Sequence, residues 1–215
     1  MPNYMEKSEI TFFAAKQDKY NTSLRQAYLD TIMPSCSESV PGIIYDPHHL
    51  LTIDYVKKLF NEKSLTKEDV ESIINYSYDS DASASVIFPH QLLGAGKKHP
   101  IFVFNAAFKG FDSEASILNL LLDHEASHAN DLRYGIKLPH NILLDYSNID
   151  KFDSRIPWLI SELYAHNNQL KNLEKRGITR NSTKDILLDK IGYFTKFLHS
   201  TVPKTDMEKL IISSF

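Results

Sequence analysis

The chain reads as an α+β protein, mostly helical, with a small β-sheet ahead of one long buried helix and a helical C-terminal lobe after it. Two observations predict this: apolar residues recur at helical spacings through most of the chain, and β-rich runs are confined to residues 85–108. A third is the segment His124-Glu125-Ala126-Ser127-His128, set inside the longest helical pattern.

Taken in order, residues from Ser23 to Met33 suggest a helix, and Pro34 through His49, with two more prolines and a glycine, reads as loop. Asp54 to Asn61 and Thr66 to Tyr78 form a helical pair, the second capped by Thr66 with Asp69 at the capping-box position. Asp79 to Ser83 is a polar break. Ser85-Val86-Ile87-Phe88 and Ile101 to Phe108 read as strands joined through Gly94-Ala95-Gly96-Lys97-Lys98, and the layout is that of a small β-meander. That loop is not a phosphate cradle, because no helix opening on Lys-Ser or Lys-Thr follows it.

The long helix spans 113–134. Asp112 or Ser113 offers an N-cap, Glu114 suits the positive end, and Gly135 stands where a left-handed residue stops the helix. A second helix spans 157–175, with Pro157 in its first turn and Gly177 closing it. Thr183 to Ser200 and Asp206 to Ser213 continue the helical lobe, with Pro203 between them.

The H-E-x-x-H spacing puts His124 and His128 on one helix face, where two imidazoles can share one zinc ion with Glu125 beside them as a base. Ile117, Leu121, His124, His128 and Leu132 share a stripe, so the imidazoles project from a face that is otherwise core and want a common partner. A catalytic zinc takes three protein ligands and leaves a position for water. The extended motif with a third histidine needs Gly at 131 and His at 134, where this chain has Asp131 and Tyr134. His140, Asp145, Asp150 and Asp153 lie in turn-like or polar sequence. Glu162 is the favoured third ligand: it lies beside the stripe Leu159, Leu163, Leu170 and Leu173, and a carboxylate facing a core is costly unless paired or bound to metal. Ala165 leaves room for the two helices to approach. Asp131 is either a support for the ligands or a solvated residue near the helix end. His48-His49 is a loop pair whose rings point in different directions.

HEASH, followed 34 residues later by helical Glu162-Leu163-Tyr164-Ala165, resembles the gluzincin clan of zinc metallopeptidases, whose two signature helices carry H-E-x-x-H and E-x-x-A. The stretch from Trp158 to Ala165 is also similar to the third-ligand helix of zinc aminopeptidases. Asn105-Ala106-Ala107-Phe108 resembles the Asn-Ala-Phe edge strand of thermolysin-like enzymes. The resemblance covers roughly residues 99–175 and implies a zincin-like fold, a zinc cofactor on His124, His128 and Glu162, and Glu125 as general base. It implies a peptide or protein substrate paired along Asn105 and Ala106, and an oxyanion donor among Tyr164, His166, Tyr193 and His199, with His166 favoured as catalytic group or as a support for the ligands. Thermolysin-like enzymes carry aspartate where this chain has His166. The alternative is a catalytically silent protein of that fold that binds peptide.

A net charge of −3 and a pI near 6.3 give no electrostatic case for nucleic acid or an acidic membrane. A single Cys36 excludes internal disulfides. No export signal or transmembrane run is legible, so the expectation is a soluble protein, cytoplasmic or exported without an N-terminal signal, as an effector would be. Residues 81–215 are expected to form the metallopeptidase domain, and 1–80 a helical region of unknown role.

Overall fold

The computed structural model describes residues 4–18, 21–79, 82–88, 90–111, 113–153 and 155–215. Two helices open it, α1 (Tyr4–Gln17) and α2 (Thr22–Ile32). Arg25 on α2 is 1% exposed and ties both helices to later parts of the chain: its Nε donates to Ala15 O at 3.0 Å and its Nη1 to Asn105 Oδ1 at 2.8 Å, with the Tyr45 hydroxyl as a further partner. The guanidinium lies over the Tyr45 and Phe108 rings, so a buried cation is satisfied by neutral acceptors and ring faces.

The sheet has three short strands, β1 (Ile43–Tyr45), β2 (Ala84–Val86) and β3 (Ile101–Val103), in the order β1-β3-β2. β3 is central and fully buried, pairing in parallel with β1 (Ile43 opposite Ile101) and antiparallel with β2 (Val86 opposite Ile101). The sheet is therefore not a meander, and β1 lies inside the stretch expected as loop. Between β1 and β2 run α3 (Leu50–Asn61) and α4 (Lys67–Asp79). Thr66 and Asp69 form the expected reciprocal cap on α4.

The strand expected over 101–108 ends at Val103, and Asn105–Gly110 is helix α5. Asn105 is drawn away from any strand edge by its bonds to Arg25 and, through Nδ2, to Pro47 O. The sheet edge that meets the long helix is β2 instead, through Val86 and Glu125.

The long helix is continuous from Glu114 to Tyr134 but not uniform: α6 (Glu114–Leu118), a π-helical segment (Asn119–Glu125) and α7 (Ala126–Tyr134). Ser113 caps it, its Oγ accepting the Ser116 N–H; Asp112 lies outside the described residues. Gly135 ends it at φ 78°, and a Cβ there would stand 2.8 Å from Leu144 O, so glycine is required. The loop expected between the strands has a further role: the N–H groups of Gly94, Ala95 and Gly96 donate to the carbonyls of Asp131, Leu132 and Arg133, closing the helix end.

A hairpin of β4 (Ile136–Lys137) and β5 (Leu143–Leu144) leads to α8 (Arg155–Asn172), α9 (Asn181–Ser200) and α10 (Asp206–Ile212). One apolar cluster runs from Phe12 to Leu132, joining the N-terminal helices, the sheet and the long helix across residue 80; a second joins the hairpin, α8, Leu198 of α9 and α10. No described helix is long and apolar enough to cross a membrane. The architecture is mostly helical with a small sheet, an α+β arrangement.

Candidate metal centre

The junction of the π segment with α7 turns His124, Glu125 and His128 inward, and all three are buried. Glu162 arrives from α8. Its carboxylate lies 3.7 Å from His124 Nε2 and 3.5 Å from His128 Nε2, and the two Nε2 atoms are 3.2 Å apart. Among the described residues these three form the one His/Cys/Asp/Glu group close enough for a metal, with ligand atoms within 4.8 Å of one another.

The protons can be placed. Burial raises Asp131 to about 7; with its carboxylate ionised, Ser161 Oγ donates to Oδ2, so toward His128 Nδ1, 2.8 Å away, it can only accept. His128 therefore carries its proton on Nδ1 and presents a lone pair at Nε2, facing the Nε2 of His124. His124 Nδ1 is buried without a hydrogen-bond partner among the described residues. If His124 carried its proton on Nε2 to bond His128, that Nδ1 would be a buried unsatisfied acceptor; if on Nδ1, two lone pairs would oppose each other. A cation between the rings and Glu162 removes the opposition of lone pairs, with the His124 proton then on Nδ1, and two imidazole nitrogens with one carboxylate oxygen form a donor set that suits zinc.

Burial also sets the charge states. It pushes His124 well below, and His128 down to about 4 from, the ordinary histidine value, so both rings are neutral, as ligands must be. Burial, with Glu162 nearby, raises Glu125 to about 8, and burial raises Glu162. Two carboxyls in a dry site without a cation are costly to ionise.

Glu125 Oε2 accepts the Val86 N–H of β2 at 2.9 Å, which fixes this carboxylate against the edge strand. His166, one turn beyond Glu162, has Nδ1 3.0 Å from Gln169 Oε1 and Nε2 3.5 Å from Glu162 Oε2. Gln169 accepts, so His166 carries its proton on Nδ1. Its ring stacks on Phe194 of α9, centroids 5.5 Å apart.

α8 faces the long helix along Ser161, Ala165 and Asn168. Asn168 donates to Asp123 O and Ser127 Oγ, and fully buried Ala165 stands between these polar contacts. Asp123 is 4% exposed and receives both Nε and Nη2 of Arg176, at 2.8 and 3.0 Å, with Asn119 Nδ2 at 3.1 Å.

The group opens into a cleft of about 1460 Å³ between β2 and α9. His166 and Tyr193 line it; Tyr164, whose hydroxyl donates to Lys137 O, and His199 do not. Asn105 and Ala106 do not line it either, so the structure does not bring them to the site. Nor does it bring His140, exposed at φ 62°, or Asp145, Asp150 and Asp153; Asp153 pairs with Arg155 and Lys204. His49 stacks on Phe104. Asp131 is a partner in the His128 relay, not a solvated residue. Ser161, Gln169 and the Asp123–Arg176 pair were missed in the sequence, where the acidic Asp123 within an apolar run was the one signal.

Comparison of the chain with protein-family models, with curated proteins and with solved structures found no match.

Proposed function

We propose that the protein is a zinc-dependent metallopeptidase of the gluzincin type, with His124, His128 and Glu162 holding the metal and Glu125 as general base. The observation that carries this reading is the convergence of two neutral Nε2 atoms and a carboxylate on one point, beside a buried second carboxylate that accepts the Val86 N–H of edge strand β2. Zinc, when bound, supplies a Lewis acid for a peptide carbonyl and lowers the pKa of water toward neutrality. Glu125 takes a proton from the attacking water and passes it to the leaving amine. Its Oε2 is tethered by Val86, leaving Oε1 for that proton. With its proton on Nδ1, neutral His166 has no N–H to give Glu162 Oε2, 3.5 Å from its Nε2, so its part in the site is to line the cleft beside that carboxylate.

The peptide class of substrate draws on β2. Phe104 N–H donates to Ser83 O, so in this antiparallel register Ser85 turns its backbone groups toward β3 while Ala84 and Val86 turn theirs away from it; Val86 N–H is taken by Glu125 and its carbonyl accepts from Ser85 Oγ, so the groups on offer are those of Ala84. An extended peptide can pair there. The cleft exceeds the roughly 300–1,000 Å³ of a small-molecule pocket, which suits several residues of chain and an endopeptidase.

One observation favours a second reading. Val86 N–H occupies one oxygen of Glu125, so a protein that keeps the metal and grips peptide without cutting it would look similar. Glu125→Gln separates the two. The variant is expected to keep one equivalent of zinc and to lose hydrolysis of fluorescein-labelled casein by about 10²–10⁴-fold. Casein cleavage undiminished in that variant overturns the mechanism. Wild-type protein dialysed against zinc that retains less than about half an equivalent, no more than His124→Ala, removes the metal site altogether.

A further inference from the structure

α9 forms the wall of the cleft opposite β2, and one of its residues has no task in the fold. Lys190 lines the cleft, is exposed, and makes no hydrogen bond or ion pair among the described residues. Its position on the helix is informative. Phe194, four residues on, stacks on His166, whose Nε2 lies 3.5 Å from Glu162; Leu187, three residues back, is buried against Leu173 and Ile178. Residues at these spacings share one helix face, so the lysine stem runs between two anchored apolar side chains on the face turned to the metal group. Lys190 lines the same cleft as His124, Glu125, His128, Glu162 and His166.

A charge count says what such a cation is for. A dication, two carboxylates and two neutral imidazoles leave the loaded centre close to neutral, and Lys190 brings a positive charge to the cleft that opens from it, whose lining also holds Arg180, Asp189 and Asp69. A neutral centre gains nothing from a resting counterion, whereas a centre about to carry one more negative charge does.

We propose that Lys190 is a catalytic residue of this cleft, its ammonium supporting the oxyanion that forms on the scissile carbonyl. The proposal rests on the metallopeptidase reading above and adds to it a residue from α9. The chemistry recognised is a tetrahedral anionic oxygen, as distinct from a carboxylate carried by the substrate.

Inorganic phosphate serves as the tetrahedral anion, acetate as the carboxylate, and acetohydroxamate as a metal ligand that does not need the lysine. Zinc-loaded wild type, Lys190→Met and Lys190→Arg are compared by calorimetry, with zinc content measured on each. Lys190→Met is expected to keep its zinc and its acetohydroxamate affinity while losing phosphate affinity about tenfold, and Lys190→Arg to restore most of that loss. Unchanged phosphate affinity in Lys190→Met overturns the proposal. A loss confined to acetate also overturns it and assigns the lysine to substrate carboxylates. Wild type without zinc overturns the metallopeptidase reading and this proposal with it, so the two failures are told apart by the metal content.

Discussion

Ser161 stands one position before Glu162 and fixes the ring opposite it. Its hydroxyl gives its proton to Asp131 and takes one from His128 Nδ1, so a single oxygen sets which nitrogen of His128 faces the metal group. Ser161→Ala leaves both partners buried without a replacement. Zinc affinity is expected to fall by about 10–100-fold, because partners of this kind orient the ligand. Asp131→Asn, which keeps an acceptor for the serine proton, is expected to lose far less; titration of both variants with zinc and a competing chelator checks this. Equal losses mean that the charge of Asp131, and not the tautomer, is what matters. At this scale the sequence was legible for residue types with few alternatives. Two histidines and a glutamate on apolar stripes must be reconciled with burial, and the structure brings them together. Serine, glutamine and lysine sit as readily in water as in a site, so Ser161, Gln169 and Lys190 emerged only from their neighbours.

The helix that carries the two histidines widens just before them. Ala126 N–H bonds Leu121 O, five residues back, and the π segment places Asn119 and Asp123 against α8 while Ile117 and Leu121 stay in the core. Such bulges often accompany functional sites. No residue pattern announced it, since one wide turn does not break an apolar spacing of threes and fours; Asp123 among leucines was the one irregular residue. Caps were legible because their chemistry is local: Thr66 with Asp69, Ser113, and Gly135 at φ 78° all stand where their residue types predicted. Arg176 makes the π segment tenable, as the counterion of a buried Asp123. Arg176→Ala is expected to cost about 3 kcal/mol in urea unfolding, the penalty of an uncompensated buried charge. Adding Asp123→Asn should recover part of it. A single-variant cost below about 1 kcal/mol would show that solvent reaches Asp123 and that the pair does not secure the segment.

Across the whole molecule, most of the helical order was legible, α1 and α5 excepted, and of the sheet β2 and β3 were legible in part, whereas β1 and the pairing were not. β1 and β3 pair in parallel although Ile43 and Ile101 are far apart in the chain, and a three-residue strand carries too little periodicity to reveal a distant partner. The segment 105–108 looked like strand from composition and became helix through its contacts with Arg25. The candidate metal group bridges the two halves so formed. Its histidines come from the long helix, rooted in the first apolar cluster through Ile117, Leu121 and Leu132, and Glu162 comes from α8, rooted in the second through Leu159, Ile160 and Leu163. A ligand that binds across both halves and not the unfolded chain stabilises by RT ln(1 + [L]/Kd), about 4 kcal/mol at a thousandfold excess over Kd. For a chain of this size that corresponds to a rise in Tm of about 8–15 °C on adding zinc to chelator-treated protein, read by differential scanning calorimetry. Glu125→Gln should keep the rise, since Glu125 is not a ligand, whereas Glu162→Ala should lose most of it. A full rise in Glu162→Ala would mean that the metal is held by the long helix alone and does not join the two clusters, and the assignment of the third ligand would fall with it.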